Sequence, residues 1–287
     1  LSAKCPVYFA PAMDLDMYQH PAVRANLAQV ASIGNIVLDA ETGELASGLS
    51  GQGRMMEPEE IVEHLIQTTF RGTVLSGKHV LITAGPTQEL LDPVRYISNF
   101  STGKMGICLA EECYLQGAEV TLIAGPLQVS THIQGINVVN VRSAAEMESA
   151  CLVQAASSDI IFMAAAVADY RPTSTASEKI KKSEAMSTLV LEKTTDILSA
   201  LGAVKKAHQT LVGFALETEN EEANALKKMQ QKKTDFIVLN SLKEAGAGFG
   251  LDTNQVTIFS ASGEKKQVEL RSKEEVAKEI IEFVIAH

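Results

Sequence analysis

His79-Val80-Leu81-Ile82-Thr83-Ala84-Gly85-Pro86-Thr87 is an apolar run that enters a Gly-Pro turn, and no helical pattern follows it until residue 103. Comparable apolar runs recur at 119–124, 138–141, 160–164, 211–216 and 236–239. Helical periodicity fills most of the gaps, at 103–115, 144–156, 196–206 and 221–233. Strands that are apolar throughout are buried on both faces, and their alternation with helices implies a parallel sheet covered on both sides. The expected class is α/β: a doubly wound, Rossmann-like, mostly parallel sheet. The end of the chain differs. Residues 255–259 and 266–269 flank Ser260-Ala261-Ser262-Gly263-Glu264, which predicts a C-terminal β-hairpin. An amphipathic helix should follow from about Ser272, its N-cap, to Ile285.

Working back from His79, residues 71–78 read as a linker. Before it, 7–10 reads as the end of a buried strand and 35–38 as a short strand. A helix is expected at 21–31, with Pro21 in its first turn, and another at 58–69, with Glu57, Glu59 and Glu60 near its positive end. Residues 43–53, rich in Gly and Ser, read as a loop. Two domains are therefore expected, 1–72 and 73–287. No internal repeat is visible.

The net charge is −10, from 35 acidic against 25 basic residues, which argues against nonspecific nucleic-acid binding. A phosphate-bearing ligand must then be met by a local basic pocket. No apolar run is long enough to span a membrane, and no signal-peptide pattern opens the chain, so a cytoplasmic protein with no membrane partner is expected. Cys5, Cys108, Cys113 and Cys151 form no C-x-x-C pair and read as small apolar residues in a reducing compartment.

Open parallel sheets bind ligands beyond the carboxyl ends of their strands. A dinucleotide-binding domain would place G-x-G-x-x-G directly after the first strand, but here residues 88–101 intervene. The second strand ends in Ala124-Gly125-Pro126, without an acid for a ribose. Ser101-Thr102-Gly103-Lys104 also fails the P-loop spacing: no Gly lies five residues before Gly103, and Met105 stands where Ser or Thr is required. What remains is a helix start whose free N–H groups favour an anion, with Ser101 and Gly103 at its mouth and Arg95 and Asn99 in the polar loop before it. An ordinary capped helix start is the competing reading.

Three other stretches fall at strand ends or on helices. The small residues of Met163-Ala164-Ala165-Ala166-Val167-Ala168-Asp169 leave room for a ligand, and Asp169 could accept from sugar hydroxyls; a tightly packed turn is the alternative. Lys179-Ile180-Lys181-Lys182 follows a Ser/Thr-rich stretch and reads either as a lid carrying a lysine to a triphosphate or as a solvated charge run. Lys228 and Lys232 share a helix face, which reads either as part of the site or as solvated surface.

Together these stretches resemble a known family. From Lys78 onward the sequence resembles the phosphopantothenate–cysteine ligase domain of the bacterial bifunctional coenzyme A biosynthesis flavoproteins. The matching stretches are Ile82–Thr87, Asp92–Gly106, Ala164–Tyr170, Lys179-Ile180-Lys181 and Val212–Thr218. The resemblance implies condensation of 4′-phosphopantothenate with cysteine, driven by CTP with Mg²⁺, through an acyl-cytidylate. It implies that Asn99 and Arg95 act at the acyl intermediate and that Lys179 meets the nucleotide phosphates. It further implies CTP contacts at Met163, Ala164, Ala165, Asp169, Thr195, Asp196, Ile197, Leu198, Phe214, Lys228 and Lys232. The family commonly has Pro where this chain has Thr195. No Mg²⁺ ligand is assigned, and a homodimer or higher homo-oligomer is implied.

Residues 1–72 are similar to the end of the partner activity, the FMN-dependent phosphopantothenoylcysteine decarboxylase. The evidence is Pro11-Ala12-Met13-Asp14-Leu15-Asp16-Met17-Tyr18 and Gly51-Gln52-Gly53-Arg54-Met55. Asp14 replaces the family's Asn and Tyr18 its Trp. The loop where the family carries a catalytic Cys holds Ser47 and Ser50. This implies the remnant of a flavodoxin-like domain, FMN in the full-length protein, and a chain that is the C-terminal portion of a longer one. The alternative function is thus part of an FMN-dependent decarboxylase, incomplete in this chain.

Overall fold

The computed structural model describes residues 3–181, 188–217, 219–241 and 250–287. The chain divides into two compact units, Leu1–Arg71 and Gly72–His287.

In the first unit β1 (Tyr8–Phe9) leads through α1 (Leu15–Gln19) and α2 (Pro21–Ser32) to β2 (Ile36–Val37), which pairs with it in parallel. Residues 43–53 are not a loop. They belong to an antiparallel hairpin of β3 (Glu41–Glu44) and β4 (Ser50–Arg54). Glycine in this strand marks a close backbone approach: the Met13 N–H donates to the Gly53 carbonyl at 2.9 Å, and a Cβ on Gly53 would lie 2.3 Å from the Met13 carbonyl oxygen. The unit ends in α3 (Pro58–Leu65), which loosens into a π-helical turn, Ile66–Phe70.

The second unit starts with β5 (His79–Ala84), then β6 (Gln88–Leu90), β7 (Tyr96–Ser98), α4 (Lys104–Leu115), β8 (Glu119–Ala124) and β9 (Asn137–Asn140). It continues with α5 (Ala144–Ala155), β10 (Ile160–Met163), β11 (Tyr170–Pro172), β12 (Leu191–Lys193), α6 (Ile197–Val204) and β13 (Thr210–Glu217). It ends with α7 (Glu221–Lys232), β14 (Phe236–Ser241), β15 (Thr253–Ser260), β16 (Lys265–Ser272) and α8 (Lys273–Ala286). The main sheet has eight strands in the order β16-β15-β14-β13-β10-β5-β8-β9. The strands from β9 through to β14 are parallel, and the C-terminal hairpin adds β15 and β16 antiparallel at one edge. The α/β, doubly wound reading therefore holds, hairpin included.

The strand order reverses between β5 and β10, where a doubly wound sheet opens its ligand crevice. Helices seal the sheet as the apolar strands require. Leu81, Ile123, Ile161 and Leu211 pack with Met147 and Cys151 of α5 and with Ile197 and Leu201 of α6, all buried. Ile237 and Leu239 of β14 pack with Ala225 and Met229 of α7. On α4, Gly106 is pressed so closely on β5 that a Cβ there would lie 2.5 Å from that of Ala84. Ser272 caps α8 as expected, in a reciprocal arrangement with Glu275.

Burial holds the Cys108 and Cys151 thiols up at about 12 and raises that of Cys113 as well, so these three are packing residues. Among the described residues no helix is long and apolar enough to cross a membrane.

Candidate active site

The loops after β5 and β10 are tied to each other across the reversal. Thr83 and Thr87, both fully buried, accept from the Ala165 and Ala168 N–H groups at 3.1 and 2.9 Å. The Ala166 N–H donates to the Gly85 carbonyl at 2.9 Å. The Asn99 amide then donates to the carbonyls of Ala166 and Val167, at 3.3 and 2.9 Å. Each of these loops also carries a small hairpin that the sequence reading did not anticipate: β6–β7 after β5, and β11–β12 after β10. Strands of three residues in polar sequence leave too little periodicity to read.

Above the reversal lies a crevice with two lobes. The first, about 430 Å³, is lined by residues 99–106, Ala164–Val167, Phe214–Leu216, Asn240, Gly250, Asn254 and Lys273. The second, about 460 Å³, is lined by Met163, Tyr170, Lys193–Leu198 and neighbouring residues. Ala165, Val167, Asp169, Phe214 and Lys228 belong to both and form their junction. A larger open groove of about 920 Å³ lies beyond β8 and β9. Its one basic residue, Arg142, is already held by the Gln88 side chain at 3.2 Å. An anionic ligand is therefore better served by the crevice.

The crevice is built around lysines held in place. Lys228 donates to the Phe214 carbonyl at 2.9 Å, and burial pushes its pKa down, against the pull of Glu217, Asp196 and Asp169. Lys232 pairs with Asp196 at 2.5 Å. Asp196 also caps α6, accepting from the Ser199 N–H at 2.8 Å. Burial opposes ionisation of Asp196, but Lys232 and that N–H keep its pKa below the usual range. In the first lobe Lys104 pairs with Asp252 at 2.7 Å and Glu274 at 3.3 Å, and the Asp252 contact raises its pKa. Lys273 is buried, donates to the Leu251 carbonyl at 2.5 Å, and has its pKa lowered by burial.

Most of the residues singled out in the sequence come together here. Asn99, Ser101, Gly103 and Ala164 line the first lobe, while Met163, Thr195, Asp196, Ile197 and Leu198 line the second. Lys232 reaches the second lobe through Asp196. The helix start at Ser101–Lys104 differs in detail from a plain anion cradle. Gly103 is left-handed, with φ of 83°, and a Cβ there would strike Leu127 at 2.2 Å, so this glycine serves packing. The Ser101 and Thr102 hydroxyls accept from the N–H groups of Gly103 and Lys104 at 3.2 and 3.4 Å. Arg95 and Lys179 line neither lobe. Arg95 is bound to Asp92, and Lys179 is exposed beside it in the chain segment that Arg95 holds. Lys182 and Thr218 lie outside the described residues.

Residues 75–287 match the family of DNA/pantothenate metabolism flavoprotein C-terminal domains, and residues 1–70 match the family described as flavoprotein. The chain is 45% identical to the coenzyme A biosynthesis bifunctional protein CoaBC of Bacillus subtilis strain 168, over all of this chain and 71% of that protein. The chain belongs to the CoaBC family. It is also 50% identical to a cysteine/cysteine sulfinic acid decarboxylase from an unknown prokaryotic organism, over 99% of this chain and 80% of that one. Among solved structures it resembles the C-terminal domain of a CoaBC protein, with 40% identity and a TM-score of 0.64, over 75% of this chain and 97% of that chain.

Within the CoaBC family the first unit carries the flavoprotein match. Its two motif segments lie against each other through the Met13–Gly53 backbone bond. Among residues 3–71 the only thiol is that of Cys5, which is exposed and outside the β3–β4 hairpin.

Sequence reasoning missed Lys193, Asn240, Asn254 and Lys273, which line the crevice. Lys273 did leave a signal. It is the first residue of α8, where the helix dipole disfavours a cation, so a buried lysine there needs a specific reason.

Proposed function

We propose that this chain joins 4′-phosphopantothenate to cysteine, with CTP as the activating nucleotide. The observation that carries the reading is the two-lobed crevice at the sheet reversal, with half-buried Lys228 at its junction. CTP would place its nucleoside in the second lobe, against Met163–Ala165, Asp169, Thr195–Leu198 and Phe214. Its phosphates would run past Lys228 toward Ser101–Gly103.

In the first step a carboxylate oxygen of phosphopantothenate bonds to the α-phosphorus and the bond to pyrophosphate breaks, giving an acyl-cytidylate. In the second, the cysteine amine bonds to the acyl carbon, CMP leaves, and the amine proton passes to solvent. Such displacements depend on fixed positive charge and oriented donors more than on a deep acid–base pair. Asn99, anchored to two carbonyls, is pre-oriented at the reacting acyl group; Arg95 and Lys179, which line neither lobe, would meet the acyl group and the phosphates from outside the crevice.

Mg²⁺ fits as an ion brought in on the phosphates. Among the described residues no cluster of three or more His, Cys, Asp or Glu side chains could cage a metal, and nucleotide Mg²⁺ is held by one or two carboxylates plus phosphate oxygens. Asp169, at the junction of the two lobes, is the carboxylate that would hold it, and the ion would neutralise phosphate charge. A cytoplasmic location and a homodimer or higher homo-oligomer belong to the same reading.

A second reading, flavin-dependent decarboxylation, is favoured by the flavoprotein match over residues 1–70. Against it, the β3–β4 hairpin carries Ser47 and Ser50 where the decarboxylases carry their catalytic Cys. The deciding experiment follows pyrophosphate and CO₂ together, with each nucleoside triphosphate offered in turn. CTP- and phosphopantothenate-dependent pyrophosphate is expected. No pyrophosphate with any nucleotide sinks the ligase reading, and a yellow protein that releases CO₂ establishes the second.

A further inference from the structure

Asp92 is fully buried, although it sits in the polar insertion between β5 and α4. Its Oδ1 accepts from the N–H groups of Val94 and Arg95, at 2.8 and 2.9 Å, which closes the turn between β6 and β7. Its Oδ2 accepts from Arg95 Nε at 3.0 Å, from Arg95 Nη2, and from the backbone N–H of Ile180 at 3.1 Å. Arg95 Nη2 donates in addition to the Ile180 carbonyl at 2.9 Å. Both backbone polar groups of Ile180 are thus held by the Asp92–Arg95 pair. The approach to this point is seated too: the Ala176 N–H and the Thr175 hydroxyl each donate, at 3.0 Å, to the carbonyls of Leu91 and Leu90. These bonds keep the Asp92 carboxyl well below the usual carboxylate range, the Arg95 guanidinium first among them. A carboxylate is buried only where such partners replace its water.

We infer that Asp92 is the positioning residue of the Lys179 arm, fixing the Ile180 backbone both directly and through Arg95. The juxtaposition is specific, because one buried carboxylate closes the β6–β7 turn and also anchors a segment 88 residues further along the chain. Arg95 then has a second role beside any contact with substrate, since its planar fork reaches Asp92 and the Ile180 carbonyl together. What Lys179 does once positioned rests on the ligase reading, but the clasp itself does not.

The test uses the full chain carrying Asp92→Asn, compared with wild type and with Lys179→Ala. Trypsin cleavage between Lys179 and Ile180, located by mass spectrometry on ligand-free protein, reports the clasp without reference to activity. Cleavage there should accelerate about tenfold or more, the factor that loss of one charge-assisted hydrogen bond carries. Cleavage elsewhere should stay unchanged. In turnover, D92N should lower kcat for pyrophosphate formation toward the Lys179→Ala level, with a smaller change in KM for CTP. Unchanged cleavage at this bond, or a uniform rise at all sites, overturns the inference. If D92N does not fold, Arg95→Lys takes its place: it keeps a cation beside Asp92 but removes the fork, and it should expose the same bond. A wild type inactive with every nucleotide would refute the ligase reading, while the cleavage comparison would still decide the clasp.

Discussion

The two lobes of the crevice are close in volume, about 460 and 430 Å³, and each contains the same kind of pair. In the second lobe Lys232 is matched by Asp196, and Lys228 donates to the Phe214 carbonyl. In the first, Lys104 is matched by Asp252 and Glu274, and Lys273 donates to the Leu251 carbonyl. The lobes differ in where these residues come from. Lys228, Lys232, Asp196 and Phe214 all belong to consecutive elements, α6 through α7, that any doubly wound sheet of this order must place side by side. Lys273, Asp252 and Glu274 come from the C-terminal appendage folded back on α4. The second lobe is therefore a product of the sheet and its crossovers, whereas the first adds Gly250, Asn254 and Lys273 from the appendage to residues that the sheet already supplies. The difference teaches that fixed charge at the junction comes from the sheet, and that the appendage adds a buried cation, Lys273, to the first lobe.

The sharpest way to break this comparison is at the junction. Lys228→Met keeps most of the side-chain volume and removes the one lysine that, among the described residues, lines both lobes. Affinity for CTP, measured calorimetrically, should fall about 10- to 100-fold, the range for a hydrogen bond to a charged group. Wild-type affinity in this variant would show that the phosphates do not pass the junction.

The same contrast explains what could be read in the sequence. Five of the six parallel strands were legible from apolar runs buried on both faces, and β9, a largely exposed edge strand, from Val138 and Val139 alone. In the second lobe the stretch from Met163 to Asp169 was legible at a strand end and Lys228 with Lys232 on one helix face, whereas Thr195–Leu198 and Phe214 came from the family resemblance alone and Lys193 was missed. The β6–β7 and β11–β12 hairpins were not, because their pairing is set by tertiary contacts and not by local pattern. Residues 43–53 misled for a related reason: glycine and serine read as loop, yet there they admit close backbone contact. Arg95 and Asp92 illustrate the limit at the site. A guanidinium in a polar loop reads as facing a ligand, and no spacing rule shows that its fork closes on a carboxylate that ends up fully buried.

A smaller effect separates the lobes. In Lys273→Met the first lobe loses a buried cation at its floor, while the second is untouched. CTP should bind about three- to tenfold more weakly, in line with the net worth of a single hydrogen bond, whereas CMP should bind as to wild type. Equal weakening of both ligands would place the nucleoside in the first lobe and reverse the assignment.

The smallest expected effect is the dependence of binding on pH, and it bears on the same junction. Burial lowers the pKa of Lys228, although Glu217, Asp196 and Asp169 pull it back and Lys232 adds to the lowering. A lysine is charged below its pKa, so a lowered value means that Lys228 gives up its proton at a lower pH than an exposed lysine would. A bound polyanion favours the charged form. Affinity for CTP should therefore decline as pH rises through the alkaline range, starting before ordinary lysines titrate, and binding there should take up a proton. Calorimetry in buffers of different ionisation enthalpy measures that uptake. The decline should be smaller than the loss in Lys273→Met, and it should flatten in Lys228→Met. An identical slope in that variant would assign the titration to Lys273, whose pKa burial also lowers, and so would move the responsive charge from the junction into the first lobe.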